Sequence, residues 1–274
     1  MIEIFEYTFL RHAFFAALLA SITCGIAGTY IVSRRMVFLS GGITHSSFGG
    51  IGIAHFLGLN PILGAIVFSV LSALGIEALS KKTELREDSV IGIWWSFGMA
   101  IGILFIFITP GYVPNLMSYL FGSILSVSLF DLYLLSGIAL LLIFFFSFFL
   151  KTILFIAFDQ EYAYTHNAPV QLFNYLTISL VALTIVSNIK IVGIILVISL
   201  LTIPQSIANL FTRKFKNIIL LSIVIGFAGS LSGLAISYNL DVPSGAAIIF
   251  SLIVLFVMAK LMKWISKRLI VKSL

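Results

Sequence analysis

The residues best suited to chemistry lie in one stretch, 40–55, where an ionisable side chain falls within a run of small residues. The stretch holds five glycines and three serines, with His45 near its centre. Hydroxyl groups flank this imidazole at Thr44 and Ser47. A neutral imidazole nitrogen can bind a divalent metal ion, and it suits zinc, iron, copper or nickel. The stretch therefore predicts a metal contact at His45, with Thr44 and Ser47 as oxygen neighbours.

A second polar feature lies at 202–209. Pro204 lacks an amide hydrogen, so it should kink a helix and could serve as a hinge. Gln205 and Asn209 are one helical turn apart and share a face. They could line a cavity or join neighbouring helices by hydrogen bonds. Hydrogen bonding between helices is the simpler of these two roles.

The segment 159–169 has the residues of a short capped helix. Asp159 is a preferred N-cap residue, and Glu161 suits the positive end of the helix dipole. Asn167 can adopt the left-handed conformation that ends a helix, and Pro169 suits the start of the next one. We expect a short helix that docks a partner; an ordinary loop helix is the alternative.

The elements that position these residues must lie in a membrane. Of the 274 residues, 61% are hydrophobic and 9% are charged, whereas a soluble domain has about 25% charged residues. The fold class is therefore an all-α integral membrane protein, and we treat 1–274 as one integral membrane domain. The apolar runs predict nine spans, at 9–32, 36–58, 61–80, 90–109, 131–150, 170–187, 191–211, 218–238 and 246–264. The shorter run 116–128 predicts a re-entrant or interfacial piece.

Lysine and arginine are distributed unequally between the loops on the two sides of the membrane, which alternate along the chain. One set holds Arg11 and Lys190, and the other holds the remaining fourteen. The fourteen are Arg34, Arg35, Lys81, Lys82, Arg86, Lys151, Arg213, Lys214, Lys216, Lys260, Lys263, Lys267, Arg268 and Lys272. Basic loops favour the cytoplasm, so we expect the N-terminus outside the cell membrane and the C-terminus inside. The net charge of +6 is then orienting charge, and it does not indicate nucleic-acid binding.

The predicted second span places His45 deep in the bilayer. It lies roughly 15 Å from the cytoplasmic end of that span, near the midplane, where an ionisable group is expensive and marks a functional site by default. A hydrogen bond between helices is the alternative role. Gly42, Ser46, Gly50 and Ala54 recur every four residues, which predicts close helix packing. His55 falls at the outer end, where it could gate metal entry or simply occupy the interface.

The motifs together resemble a family, the membrane permeases of zinc, manganese and iron ABC importers. The resemblance runs over nearly the whole chain. Its motifs are Arg35-Met36, Thr44-His45, 119–125, 159–163, Pro169-Val170, 190–193, Ile203-Pro204 and 237–245. Their common order and spacing make this a specific signal.

This resemblance implies a helical fold like that of the cobalamin importer, and import of a divalent metal driven by ATP. It implies three partners: a second permease copy, a cytoplasmic ATPase and an extracytoplasmic binding protein. It also makes 159–169 the coupling helix, with Asp159, Glu161 and Ala163 against the ATPase. The chain itself has no phosphate-binding G-x-x-x-x-G-K-[ST] motif, so we expect no cofactor on it and ATP use by the partner. It is not expected to be an enzyme.

The chain departs from the family pattern at two positions. Gly41 stands where the family usually has an aspartate, four residues before the histidine, and this removes an expected carboxylate. Asn167 stands where a glycine usually ends the coupling helix, and it retains the left-handed preference.

Three other functions remain open on the residues alone. The same architecture could pass an iron-siderophore, haem or cobalamin, through a wider cavity with few ligating side chains. A secondary transporter driven by an ion gradient would be expected to show acids within its spans. An intramembrane metalloenzyme would need the H-E-x-x-H spacing, which the chain lacks.

Overall fold

The computed structural model describes residues 7–82, 84–110 and 122–272, and within these ranges all regular elements are helices. The α-helices are α1 Thr8–Ser33, α2 Val37–Phe56, α3 Pro61–Lys82, α4 Glu87–Ile108, α5 Leu129–Phe158, α6 Gln160–Thr165, α7 Val170–Val192, α8 Ile194–Leu200, α9 Ile203–Phe211, α10 Phe215–Leu240 and α11 Ser244–Lys272. A 3₁₀ turn occupies Ile124–Ser126. The predicted all-helical class is confirmed.

Eight helical segments in the described part of the chain are long and apolar enough to span a membrane, with α8 and α9 counted together as one. Helix α2 is not among the eight, because its glycines, serines and histidines dilute its hydropathy. Its 20 residues nevertheless extend about 30 Å, the thickness of a bilayer core. With α2 included, the described helices agree with the nine predicted spans.

The predicted ends of the fifth and sixth spans need correction. Helix α7 continues past 187 to Val192, so Asn188 and Lys190 lie in its last turns and do not form a loop. The turn that follows is a single residue, Gly193, whose φ of 82° favours glycine. Helix α5 extends to Phe158, eight residues beyond the predicted end at 150.

The predicted seventh span is broken into two helices. Helix α8 ends at Leu200, and α9 begins at Ile203, with Pro204 in its first turn. Because proline is tolerated at the start of a helix and not in its interior, Pro204 fits the break. The role of Pro204 as a hinge remains a prediction. Of the run 116–128, residues 116–121 lie outside the described residues, and the rest carries the 3₁₀ turn, with Ile124 buried.

Helix α2 packs closely against α3 and α4, and glycines make this possible. A Cβ atom added at Gly50 would collide with the carbonyl oxygen of Gly64 in α3. One added at Gly52 would collide with the carbonyl oxygen of Gly102 in α4, and one added at Gly98 would lie 2.5 Å from the Cα of Ser46. The predicted small-residue packing of this helix is confirmed.

A salt bridge joins the start of α5 to the end of α7. Lys190 Nζ lies 2.6 Å from Asp131 Oδ1. The other oxygen of this carboxylate accepts hydrogen bonds from the backbone N–H and the hydroxyl of Ser128, at 3.1 and 2.6 Å. We call this side of the bundle the Asp131 end, and the opposite side, where α1 ends, the Arg34 end.

We expect Gly50→Ala to destabilise the helix bundle, because the new methyl group has no space beside the Gly64 carbonyl. Overpacking of this kind costs about 1–3 kcal/mol. The measurement is the melting temperature of the detergent-solubilised protein. Gly137→Ala in α5 is the matched control, since a Cβ there meets nothing within 4 Å. Equal melting temperatures for the two variants would contradict the packing described above.

Candidate functional site

His45 lies near the middle of α2, and its side chain differs from those of its neighbours. It is about 12 Å along the axis from the start of the helix at Val37. Its imidazole is half-buried, whereas Thr44, Ser46 and Ser47 are completely buried. The helix therefore presents one ionisable side chain at the edge of the bundle, at mid-depth, while its hydroxyls face inward.

An indole ring covers one face of this imidazole. Trp95 of α4 stacks on His45 with ring centroids 4.3 Å apart and an angle of 5° between the planes. The same indole lies over Gly41, because a Cβ added at Gly41 would be 3.5 Å from Cζ3 of Trp95. The lone pairs of imidazole nitrogens lie in the ring plane. Stacking thus restrains the ring and leaves its nitrogen edge accessible to an ion.

The structure does not bring Ser47 to the face of His45. Residues two apart on a helix point about 200° apart. The Ser47 hydroxyl donates to the carbonyl oxygen of Thr44 at 2.6 Å, and the Thr44 hydroxyl donates to the carbonyl oxygen of Ser40 at 2.5 Å. Both hydroxyl protons are therefore used within α2. The role of Thr44 and Ser47 as oxygen neighbours of the ion remains a prediction.

His55 belongs to a different part of the helix. It lies in the last turn of α2, about 15 Å along the axis from His45, so one ion cannot contact both residues. It is half-buried at the Asp131 end. Among the described residues, no three histidine, cysteine, aspartate or glutamate side chains gather in a group that could hold a metal. Within one chain, the described residues around His45 therefore offer at most a single imidazole nitrogen to an ion.

Gln205 connects α9 to α1 and does not line an open cavity. Its side chain is completely buried, and Nε2 donates to the carbonyl oxygens of Cys24 and Leu200, at 2.9 and 3.0 Å. The amide fits because the facing residue is Gly28, where a Cβ would lie 2.5 Å from Nε2. Of the two predicted uses, hydrogen bonding between helices is the one observed for Gln205. Asn209 is half-buried at the surface of α9.

The capped helix predicted at 159–169 is present as α6. The Asp159 carboxylate accepts a hydrogen bond from the backbone N–H of Tyr162 at 2.9 Å, and Asn167 has a φ of 53°, as a left-handed cap requires. Glu161 is exposed, as are Tyr162 and Tyr164. These side chains form the outer surface of α6.

One predicted contact on this helix is wrong. Ala163 is completely buried, and it packs against Ile156 and Val170 of its own chain. It cannot lie against an ATPase, because its side chain faces the bundle. A six-residue helix has one inner and one outer face, and the cap residues alone did not show which face Ala163 occupies.

Three features of the structure have a weak signal, or none, in the sequence. Trp95 could have been noticed, because tryptophan in membrane proteins is enriched at the interfaces and Trp94 and Trp95 stand well inside a span. The salt bridge between Asp131 and Lys190 has no signal in the neighbouring sequence. The same holds for the contacts of Arg34, which are described below. Their partners are 59 and 123 residues away along the chain.

Comparison with known proteins gives a consistent result. The model of the family described as "ABC 3 transport family" matches residues 6–263. An uncharacterised membrane protein of Synechocystis is 41% identical over 91% of this chain and 89% of its own length. The manganese transport system membrane protein MntC of Halalkalibacterium halodurans is 33% identical over 94% of this chain and 88% of its own length.

Solved structures agree in fold. PsaBC from Streptococcus pneumoniae, determined in complex with an antibody fragment, superposes with a TM-score of 0.82 at 30% identity, covering 94% of this chain and 95% of its own. An inward-facing metal-chelate type ABC transporter superposes with a TM-score of 0.74 at 17% identity, covering 92% and 86%. The second likeness concerns the fold alone.

We expect Ala163→Arg to destabilise the isolated protein, because the substitution buries a charge among Ile156 and Val170 without a partner. Tyr164→Arg is the matched control. The side chain of Tyr164 is exposed, so the same charge would remain in water there. The measurement is the melting temperature in detergent, without any partner present. An unchanged melting temperature for Ala163→Arg would mean that this face of α6 is not packed as described.

Proposed function

The chain belongs to the ABC 3 transport family, and from that premise we propose that it is the membrane-spanning subunit of an ATP-driven importer of a divalent transition metal ion. Relatives named as manganese transport membrane proteins, and the likeness to PsaBC, support this function. Zinc, manganese and iron are the candidate ions. Membership of this family sets aside the gradient-driven alternative.

The observation that carries the proposal is the half-buried imidazole of His45 at mid-depth. An ionisable side chain at that depth is costly in contact with lipid. Here the helix is lined with glycine and serine, the imidazole reaches the edge of the bundle, and its ring is held by Trp95 at 4.3 Å. A restrained ring with an accessible nitrogen edge is suited to contact an ion that passes along α2.

We propose that a second copy of the chain completes the pathway. A half-buried imidazole facing hydrocarbon would lack a polar partner, whereas two copies placed face to face would shield both rings. Two copies of His45 would then offer two nitrogens to one ion. Two neutral ligands hold an ion weakly, and weak binding is what passage requires, because an ion that binds tightly does not leave.

Energy and delivery come from other proteins in this proposal. The loops and helix ends that carry fourteen of the sixteen lysines and arginines would face the cytoplasm, together with α6 and the C-terminus. A cytoplasmic ATPase would contact the outer surface of α6, formed by Glu161, Tyr162 and Tyr164, with Asp159 as the cap that holds this surface in place. An extracytoplasmic binding protein would deliver the ion at the Asp131 end, where His55 lies. The chain would itself hold no cofactor.

We expect His45→Gln to abolish metal uptake, because glutamine keeps a hydrogen-bonding side chain but is a poor metal ligand. Trp95→Phe should retain uptake, since a phenyl ring can still stack on the imidazole. Trp95→Leu should lower uptake by about 10-fold, the loss seen when a group that orients a metal ligand is removed. The measurement is uptake by proteoliposomes that contain the permease, its ATPase and its binding protein, with zinc, manganese and iron in competition.

Membrane insertion and ATPase binding of each variant serve as controls in that experiment. Uptake by His45→Gln at the rate of the unmodified protein would reduce His45 to a contact between helices. Equal uptake by Trp95→Phe and Trp95→Leu would show that the stacked ring has no part in orienting the imidazole.

We expect a cysteine at Tyr164 to form a cross-link with the ATPase, because this side chain lies on the outer surface of α6. Cys24 is first replaced by alanine. The control is a cysteine at Leu59, which is 61% exposed at the opposite end of the bundle and should form none. Each single cysteine is labelled with a thiol reagent that carries a photoreactive group, so no cysteine is needed on the ATPase. The readout is the cross-linked product on a gel after illumination. A cross-link from position 59 instead of 164 would reverse the proposed orientation.

A further inference from the structure

One guanidinium at the Arg34 end joins helices that are distant in sequence. Arg34 is the C-cap residue of α1, and its Nη1 donates to the carbonyl oxygen of Ala157 in the last turn of α5 at 3.1 Å. With the Gln160 amide turned so that its oxygen faces these donors, the oxygen accepts from Nη1 and Nη2 of Arg34 at 3.1 and 2.8 Å. It also accepts from Nδ2 of Asn174 in α7 at 3.2 Å.

This network is partly protected from solvent. Asn174 is 2% exposed, and Arg34 and Gln160 are half-buried. The carbonyl oxygens at the end of a helix carry a partial negative charge, so the guanidinium is favoured beside Ala157. Charge-assisted hydrogen bonds from a forked guanidinium also have a defined geometry. The position of Gln160, the first residue of α6, is therefore tied to the end of α1.

Helix α6 is attached to the bundle by its inner face as well. Ala163 is completely buried against Ile156 of α5 and Val170 of α7. A force on the outer surface of α6 would thus reach α5 and α7 through apolar contact. It would reach α1 through Arg34.

The connection from Arg34 to α2 is short and hydrogen-bonded. The backbone N–H of Arg35 donates to the carbonyl oxygen of Val32 at 3.1 Å. The backbone N–H of Met36 donates to the carbonyl oxygen of Ile31 at 2.9 Å. Arg35 takes a φ of 59°, and Met36 is 7% exposed. Because this turn is compact and α2 begins at the next residue, a displacement of Arg34 would move the start of the helix that carries His45.

We propose that Arg34 is a positioning residue that links the ATPase-contacting helix α6 to α1 and α2, and so couples ATP hydrolysis to the movement of His45. The inference rests on the proposed function. In this role Arg34 contacts neither the ion nor the nucleotide. It acts through Gln160 and through the turn at 34–36.

The test compares Arg34→Gln with Arg35→Gln in the complete complex of permease, ATPase and binding protein. Both variants lose one positive charge at adjacent positions, but Arg35 is exposed and lies outside the network. The measurement is the number of metal ions transported per ATP hydrolysed in proteoliposomes. Arg34→Gln should lower this ratio by about 10-fold while ATP hydrolysis continues, which lies within the usual range of coupling between distant sites. Arg34→Lys, which keeps the charge and one donor, should recover part of the ratio.

A second variant guards against a purely structural effect of Arg34→Gln. Gln160→Leu removes the acceptor and leaves Arg34 bonded to Ala157. This variant should also lower the number of metal ions transported per ATP hydrolysed. The double variant Arg34→Gln with Gln160→Leu should have a ratio no lower than that of Arg34→Gln alone, because both changes break the same contact. An unchanged ratio in Gln160→Leu, or an equal loss in Arg35→Gln, would overturn the proposal. Failure of the unmodified complex to take up any of the three metals would instead refute the proposed function.

Discussion

The close approach of α2 to α3 and α4 is the constraint on which the rest of the structure depends. Lipid tails are as apolar as leucine, so helices in a membrane associate through tight packing and hydrogen bonds. In this chain the packing is backbone against backbone, at Gly50 with Gly64 and at Gly52 with Gly102. The small residues that permit it also make α2 too polar to face lipid. The packing therefore creates the place for His45 and requires that its exposed face be covered.

Polar contacts then attach α1 to the surrounding helices. Gln205 donates to the carbonyl oxygen of Cys24, and Asn188 donates to the hydroxyl of Thr23 at 3.1 Å. At the end of the same helix, Arg34 bonds to the carbonyl oxygen of Ala157. Since polar groups inside a membrane need protein partners, these contacts favour one arrangement of α1 among its neighbours. Helix α1 thus connects α9 and α7 with the base of α6.

The arrangement suggests how a remote energy source can act on His45. Helix α6 rests on α5 and α7 through Ala163 and is bonded to α1 through Arg34. Helix α1 leads into α2 through a turn of three residues, 34–36. The broken helix α8–α9, held to α1 by Gln205, offers a second place where direction can change. A movement at the outer surface of α6 can in this way reach mid-depth without a large change in any one helix.

The sequence by itself determined the features that depend on near neighbours. The apolar runs located the nine spans, the small residues of α2 indicated close packing, and Asp159 and Asn167 defined the two ends of α6. Each of these signals lies within a few residues, because helical periodicity and capping are local. The end of α7 was misplaced, since Lys190 resembles a loop residue until its partner is known.

Only the tertiary structure decided which faces meet. It placed Trp95 over His45, turned Ala163 toward the bundle and paired Lys190 with a carboxylate 59 residues away. It also brought Arg34 to a carbonyl 123 residues away. These contacts depend on the rotation of each helix about its axis and on its shift along its neighbours. Because most of the spans are apolar on nearly all sides, composition leaves that rotation undetermined, and the packing of the whole bundle sets it.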